Sequence, residues 1–197
     1  TLTGSGGVSY LWSTGETDAS INVCPTVTTT YVLTVTDANG CTDDDDVIVT
    51  VWPLPTADAG ADQTTCDNVC VTLNATGAGS GGSYLWNTGE TSATINVCPT
   101  TATTYTVTVT DFNGCTDSDD VYIMVNPAPS VDVGPDITGC QGAGGTAISA
   151  VVIGGPVTYL WSTGSTTPAI AVAPLVTTSY TVTVTDANYC IVSQSVD

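Results

Sequence analysis

The stretch Tyr84-Leu85-Trp86-Asn87-Thr88-Gly89-Glu90 occurs three times along the chain. Its copies are Tyr10-Leu11-Trp12-Ser13-Thr14-Gly15-Glu16 and Tyr159-Leu160-Trp161-Ser162-Thr163-Gly164-Ser165. From Tyr10 to Tyr84 is 74 residues and from Tyr84 to Tyr159 is 75, so one unit is repeated in tandem with its phase kept. Each copy reads as a short strand that Thr-Gly closes with a turn. Recurrence at one point of every repeat marks Trp12, Trp86 and Trp161 as core residues rather than a sugar-stacking surface. Trp52, which precedes a Pro-rich stretch, is expected to pack at a repeat junction.

The 197 residues include 19 Asp and Glu, with no Lys, Arg or His, for a net charge of −19. Ordinary domains carry roughly 25% charged residues of both signs. No side-chain salt bridge can form here. Nucleic acid and anionic membranes attract cationic side chains and are poor partners for this chain; metal cations suit it better. Eight cysteines without histidine favour disulfides over zinc and place the chain in an oxidising, extracellular or cell-surface compartment. No apolar run approaches the ~20 residues of a membrane span, and no signal peptide is evident.

The second repeat serves as template. Val69, Val71 and Leu73 alternate with polar residues, as do Ala93, Ile95 and Val97, and then Tyr105, Val107 and Val109. That period of two belongs to half-buried strands. Asp111-Phe112-Asn113-Gly114 is a hairpin signal, and Val121, Ile123 and Val125 share one face of a last strand. About seven short strands with a Trp on an early one predict an all-β fold of tandem immunoglobulin-like sandwiches arranged end to end. Tyr31, Tyr105 and Tyr180, each opening a strand after a Pro- and Thr-rich corner, resemble the tyrosine corner of such folds. Trp52-Pro53-Leu54-Pro55 and Asn126-Pro127-Ala128-Pro129 read as short, semi-rigid spacers. The predicted repeats are therefore 1–52, 53–126 and 127–197.

Three motifs carry a family resemblance. They are the Tyr-x-Trp-Ser/Asn-Thr-Gly stretch, the run from Pro99 through Tyr105 to Cys115, and the entry Ala57-Asp58-Ala59-Gly60-Ala61-Asp62-Gln63-Thr64. Together they are similar to the PKD-like, immunoglobulin-like repeats of large bacterial surface proteins, over nearly the whole chain. The resemblance implies spacers, stalks or adhesive fibres without chemistry of their own. Lacking Lys, this chain has no lysine-based isopeptide crosslink.

The first repeat has no counterpart of Pro53 to Val71, and the third stops where the second continues through Tyr122 to Val125. Two expectations follow: a window from a longer repeat chain, or neighbouring subunits that donate strands in a polymer.

Aligning the repeats sets Cys24 with Cys98, Cys41 with Cys115 and Cys190, and Cys66 with Cys140. Cys70 and Cys98 both lack a thiol counterpart in the third repeat, where Gly144, Gly145 and Ala173 fall; their joint loss predicts a Cys70–Cys98 disulfide. Counting within repeats gives Cys66–Cys115 and Cys140–Cys190 as the simplest further pairs. A regular sandwich sets these at opposite poles, and the rival pairing crosses the junction, Cys66–Cys190. Cys24 and Cys41 then pair with each other or outside the segment.

Asp43, Asp44, Asp45, Asp46, Asp117, Asp119 and Asp120 are expected just before the last strands. Asp58, Asp62, Asp132 and Asp136 follow the spacers. Calcium, which takes six to eight oxygen ligands, is the candidate cofactor for such clusters, against a plain solvated acidic surface. No EF-hand or nonapeptide motif is present.

Asn74-Ala75-Thr76 matches an N-glycan sequon. Without His, Lys or Arg there is no Ser-His-Asp triad, Cys-His pair or Schiff-base lysine, and the two Glu, Glu16 and Glu90, sit at equivalent turns. The sequence thus predicts a non-enzymatic extracellular fibre or stalk that partners itself, used in adhesion or matrix. The alternative is a carbohydrate-binding or spacer module of a secreted enzyme or adhesin, with a glycan or surface ligand.

Overall fold

The computed structural model describes residues 1–139 and 145–197. Along the first repeat run β1 (Leu2–Thr3), β2 (Ser9–Trp12), β3 (Ser20–Ile21), β4 (Thr29–Thr36) and β5 (Thr42–Val49). The second contributes β6 (Gln63–Cys66), β7 (Val71–Asn74), β8 (Ser83–Trp86), β9 (Thr94–Val97), β10 (Thr103–Thr110) and β11 (Thr116–Asn126). The third contributes β12 (Ser130–Asp132), β13 (Thr146–Ser149), β14 (Val151–Ile153), β15 (Val157–Trp161), β16 (Ala169–Val172), β17 (Tyr180–Asp186) and β18 (Ile191–Val196). The described residues form no helix long and apolar enough to cross a membrane.

Why these segments form strands is plain in β10, Thr-Thr-Tyr-Thr-Val-Thr-Val-Thr. Its β-branched and aromatic residues suit a pleated surface, and Tyr105, Val107 and Val109 are buried while the threonines between them are half-buried. Burial pushes the Tyr105 phenol above its ordinary pKa, and the nearby Glu90 carboxylate adds to the shift.

Each repeat sets one sheet against another. The larger sheets run β2-β4-β5, β6-β11-β10-β8 and β15-β17-β18; facing them are β1-β3, β7-β9 and β13-β16, with a further pair β12-β14. These are tandem immunoglobulin-like β-sandwich repeats. Leu2 pairs with Ile21 as Leu73 pairs with Ile95 and Ile148 with Ile170. β6 runs parallel to β11, from Gln63 opposite Ile123 to Cys66 opposite Asn126.

The chain divides into two compact units. One comprises Thr1–Thr56, Gly77–Ser83 and Val109–Asp117; the other comprises Ala57–Thr76, Tyr84–Thr108 and Ser118–Asp197. In the first, Trp12, Ile21, Tyr31 and Leu33 form a core against which Leu2, Tyr10, Val23, Val35 and Val49 pack. The second buries Leu73, Trp86, Val107, Val121 and Ile123. It also holds a core around Trp161, with Ile148, Ile170, Val182, Val184 and Val196.

The recurrent tryptophan motif builds one turn three times. Trp12 N–H donates to the Glu16 carbonyl at 2.9 Å, Trp86 to Glu90 at 2.9 Å and Trp161 to Ser165 at 2.8 Å. Gly15, Gly89 and Gly164 supply the positive φ (95°, 98° and 85°) that L side chains resist. Each indole N–H meets a loop carbonyl at 2.9 Å, of Asp18, Ser92 and Thr167 in turn, so the buried ring leaves no polar atom unpaired.

The last strands begin earlier than their apolar pattern suggests, at Thr42 and Thr116. Asp43–Asp46 and Asp117–Asp120 therefore lie inside β5 and β11 rather than ahead of them. Pairing with β4 and β10 outweighs the low strand preference of Asp, because the carboxylates are exposed in β5 and at most half-buried in β11.

Replacing Trp86 with Ala removes a fully buried ring and an indole hydrogen bond. Urea unfolding should show a loss of about 3–5 kcal/mol, and Trp86→Phe a smaller one.

Candidate functional site

The features that recur with chemistry attached are cysteines and carboxylates, and one turn brings them together. Asp37 Oδ1 accepts the backbone N–H groups of Asn39 at 2.8 Å and Cys41 at 2.9 Å. Asp111 Oδ1 does the same for Asn113 and Cys115, both at 2.8 Å, and Asp186 Oδ1 for Asn188 and Cys190, both at 2.8 Å. One carboxylate thus fixes the hairpin that presents the cysteine. The N–H groups of Cys41 and then Asn39 hold the Asp37 carboxyl below the usual carboxylate range. From the sequence Asp111 is read only as part of a hairpin signal, and Asp37 and Asp186 are not singled out, although Asp-x-Asn-x-Cys occurs at each hairpin.

In the third repeat this hairpin carries a crosslink. Cys190 is fully buried and bonded to Cys66, with Cα atoms 5.6 Å apart and 124 residues between them in sequence. Cys66 ends β6 opposite Asn126, and Asp67 N–H donates to the Asn126 carbonyl at 3.0 Å. The bond therefore joins the two sides of the Asn126–Pro129 spacer.

This corrects the within-repeat pairs Cys66–Cys115 and Cys140–Cys190. Cys115 precedes β11, whereas Cys66 lies opposite its last residue. That 11-residue strand spans roughly 36 Å, far beyond the ~7 Å a disulfide tolerates between Cα atoms. Cys190 is already engaged, and Cys140 lies outside the described residues.

Cys70 and Cys98 are bonded, their Cα atoms 4.0 Å apart. The register explains it: Val71 pairs with Val97, so the two thiols flank the end of the β7–β9 ladder. Cys24 and Cys41 are free and exposed rather than joined to each other, and Cys115 is free and half-buried.

The other carboxylates mostly serve the backbone. Asp58 and Asp132 each accept the N–H two residues on, from Gly60 and Gly134 at 2.8 Å. Asp62 accepts Tyr122 N–H at 2.8 Å, and its third-repeat equivalent Asp136 accepts Asp197 N–H at 3.1 Å. Asp119 Oδ2 accepts Ala59 N–H at 2.8 Å. Gln194 occupies the matching place in the third repeat, and its Oε1 is buried without a partner among the described residues. Asp43, Asp44, Asp45 and Asp46 are exposed along β5, with Asp45 accepting Asp46 N–H at 2.9 Å. Asp120 is exposed on β11, and Asp117 half-buried. Among the described residues, no three His, Cys, Asp or Glu side chains converge as a metal-binding group.

No protein-family model and no curated protein matches the chain. Among solved structures it is similar to extracellular domains 3–5 of Drosophila OTK, at 14% identity and a TM-score of 0.36, covering 86% of this chain and 70% of that one. A three-Ig fragment of titin matches at 10% identity and a TM-score of 0.40, with 86% and 73% covered. The insect immune protein hemolin matches at 14% identity and a TM-score of 0.40; 85% of this chain covers 54% of hemolin's. All three are immunoglobulin-domain proteins, and none is a bacterial PKD-like repeat.

Peptide mapping without reduction should recover a fragment joining Cys66 to Cys190. The Cys66→Ser/Cys190→Ser variant should lose about 4–5 kcal/mol of stability if loop closure governs. Asp37 titrates lower in the folded chain than in the unfolded one. Its contribution is present above the ordinary aspartate range and is lost as pH falls through its folded value. Asp37→Asn should therefore flatten the acid limb of melting temperature against pH, measured by calorimetry.

Proposed function

We propose that the chain is an extracellular structural module: a stalk or fibre segment of tandem immunoglobulin-like repeats with boundaries near 1–52, 53–126 and 127–197. Its use would be in adhesion or matrix, and self-association would build longer assemblies. The observation that carries this reading is the Cys66–Cys190 bond, which closes across a spacer and fixes the third repeat to the second. A freely jointed chain gains nothing from such a bond, whereas a stiff spacer does. The two disulfides among the described residues, in a chain of small cores, fit an oxidising, extracellular setting.

One observation favours the second reading, a glycan-directed module. Phe112 and Tyr189 stand 81% and 83% exposed at hairpin tips, where aromatic rings are free to stack on sugars. Tyr189 also holds a positive φ of 64° at the place Gly40 and Gly114 occupy, a conformation costly for a non-glycine residue.

Negative-stain microscopy of the full chain should show elongated particles and, at high concentration, filaments. Compact monodisperse particles that bind glycans on an array would overturn the stalk reading in favour of the second.

A further inference from the structure

One segment of the second repeat, Asp62–Cys70, makes both a strand and two crosslinks. Gln63–Cys66 runs parallel to Ile123–Asn126, Asp62 accepts the Tyr122 N–H at 2.8 Å, and Asp67 N–H reaches the Asn126 carbonyl at 3.0 Å. Cys66 then bonds Cys190 in the next repeat's hairpin, and Cys70 bonds Cys98 just past β9.

The first repeat holds the counterparts of these partners. At the repeat spacing, Ile48, Trp52 and Cys24 stand where the second repeat has Tyr122, Asn126 and Cys98, and Cys115 stands where the third has Cys190. β5 ends its sheet on the side where β6 covers β11. Val47 is 40% exposed although its counterpart Val121 is fully buried, and Ile48 is 60% exposed. Cys24 is free and exposed, Cys115 is free and half-buried, and the Cys115 hairpin belongs to the same compact unit as the first repeat. β1–β3 also copies β7–β9 up to the step at which the Cys70–Cys98 bond forms. Leu2 faces Ile21 as Leu73 faces Ile95, and Thr1 hydrogen-bonds Asn22 as Thr72 does Asn96.

We propose that the open edge of Ile48–Trp52, together with Cys24 and Cys115, is a capture site for an extended polypeptide segment of the Asp62–Cys70 pattern. Such a segment carries one cysteine at the end of a strand and a second four residues on. Its strand lies parallel to Val49–Trp52, its first cysteine bonds Cys115, and its second, running toward Thr1, bonds Cys24. The second repeat selects this occupant, because there the equivalent edge and the equivalent thiols already hold it. A folded second copy does not fit. The sequence has the Cys-x-x-x-Cys spacing once, and both of those cysteines are already bonded. For each new bond the two thiols give up two electrons and two protons to a disulfide oxidant such as glutathione disulfide, which leaves as two thiols. The site does not depend on the stalk reading.

The probe is the synthetic peptide Asp-Gln-Thr-Thr-Cys-Asp-Asn-Val-Cys, mixed with the full chain in a glutathione redox buffer whose salt screens the charge of both. Mass spectrometry should show a one-to-one adduct. Mapping without reduction should join the peptide's first cysteine to Cys115 and its second to Cys24, and hydrogen exchange should slow at Ile48–Trp52. A peptide of the same composition in scrambled order should couple at least about ten-fold more slowly, because only a docked strand raises the effective concentration at the thiols. Cys115→Ser should lose the first bond and keep the second; if that variant misfolds, exchange on the unmodified chain with the peptide decides. Equal coupling of the scrambled peptide, capture at Cys41 in place of Cys115 and Cys24, or unchanged exchange at Ile48–Trp52 would each overturn the proposal. Compact particles that still capture the peptide would sink the stalk reading and leave this site standing.

Discussion

With no cationic side chain in the sequence, the carboxylates are stabilised by backbone N–H groups, side-chain amides, hydroxyls or water. The structure answers with aspartates aimed at the main chain. They close the hairpins at Asp37, Asp111 and Asp186, tie Ala59 to β11 through Asp119, and hold Tyr122 and Asp197 through Asp62 and Asp136. Charge-assisted hydrogen bonds of this kind are stronger than neutral ones and involve no second ion to desolvate. They cannot supply a large core, however. Repeats of about 75 residues bury modest apolar area, which leaves crosslinks a large share of the stability.

Much of this was legible from the residues because it is local and periodic. The tryptophan motif counts repeats and occupies each core, and alternation located the strands. The joint loss of two thiols in the third repeat pointed to the pair that the β7–β9 register explains. The Cys66–Cys190 bond was harder for a physical reason. Alignment says which cysteines are equivalent, but not whether a strand-end thiol meets the hairpin of its own repeat or of the next. That depends on which pole abuts the spacer. The role of the hairpin aspartates was not legible because a turn signal such as Asp111–Gly114 names residues that tolerate the bend, and the third repeat, with Asn188-Tyr189, lacks even that signal. Their carboxylate geometry appears only once the backbone N–H groups of residues two and four positions on point back together.

Differences among the repeats are as telling as their likeness. Gly114 becomes Tyr189 in the same left-handed conformation, and Asp119 becomes Gln194, whose Oε1 has no partner among the described residues. Both changes leave β17 and β18 in register. A hairpin held by Asp186 and anchored through sulfur at Cys190 absorbs strain that an untethered one would release by fraying.

The Cys66–Cys190 bond also redirects tension. A pull on the two ends of the chain travels to Cys66, crosses sulfur to Cys190 and leaves along β18, so the residues between the two cysteines lie off the loaded path. Most of the second and third repeats is thereby shielded from stretching. Under load they lengthen the chain by only a short covalent step, which leaves the residues before Cys66 and those of β18 on the loaded path.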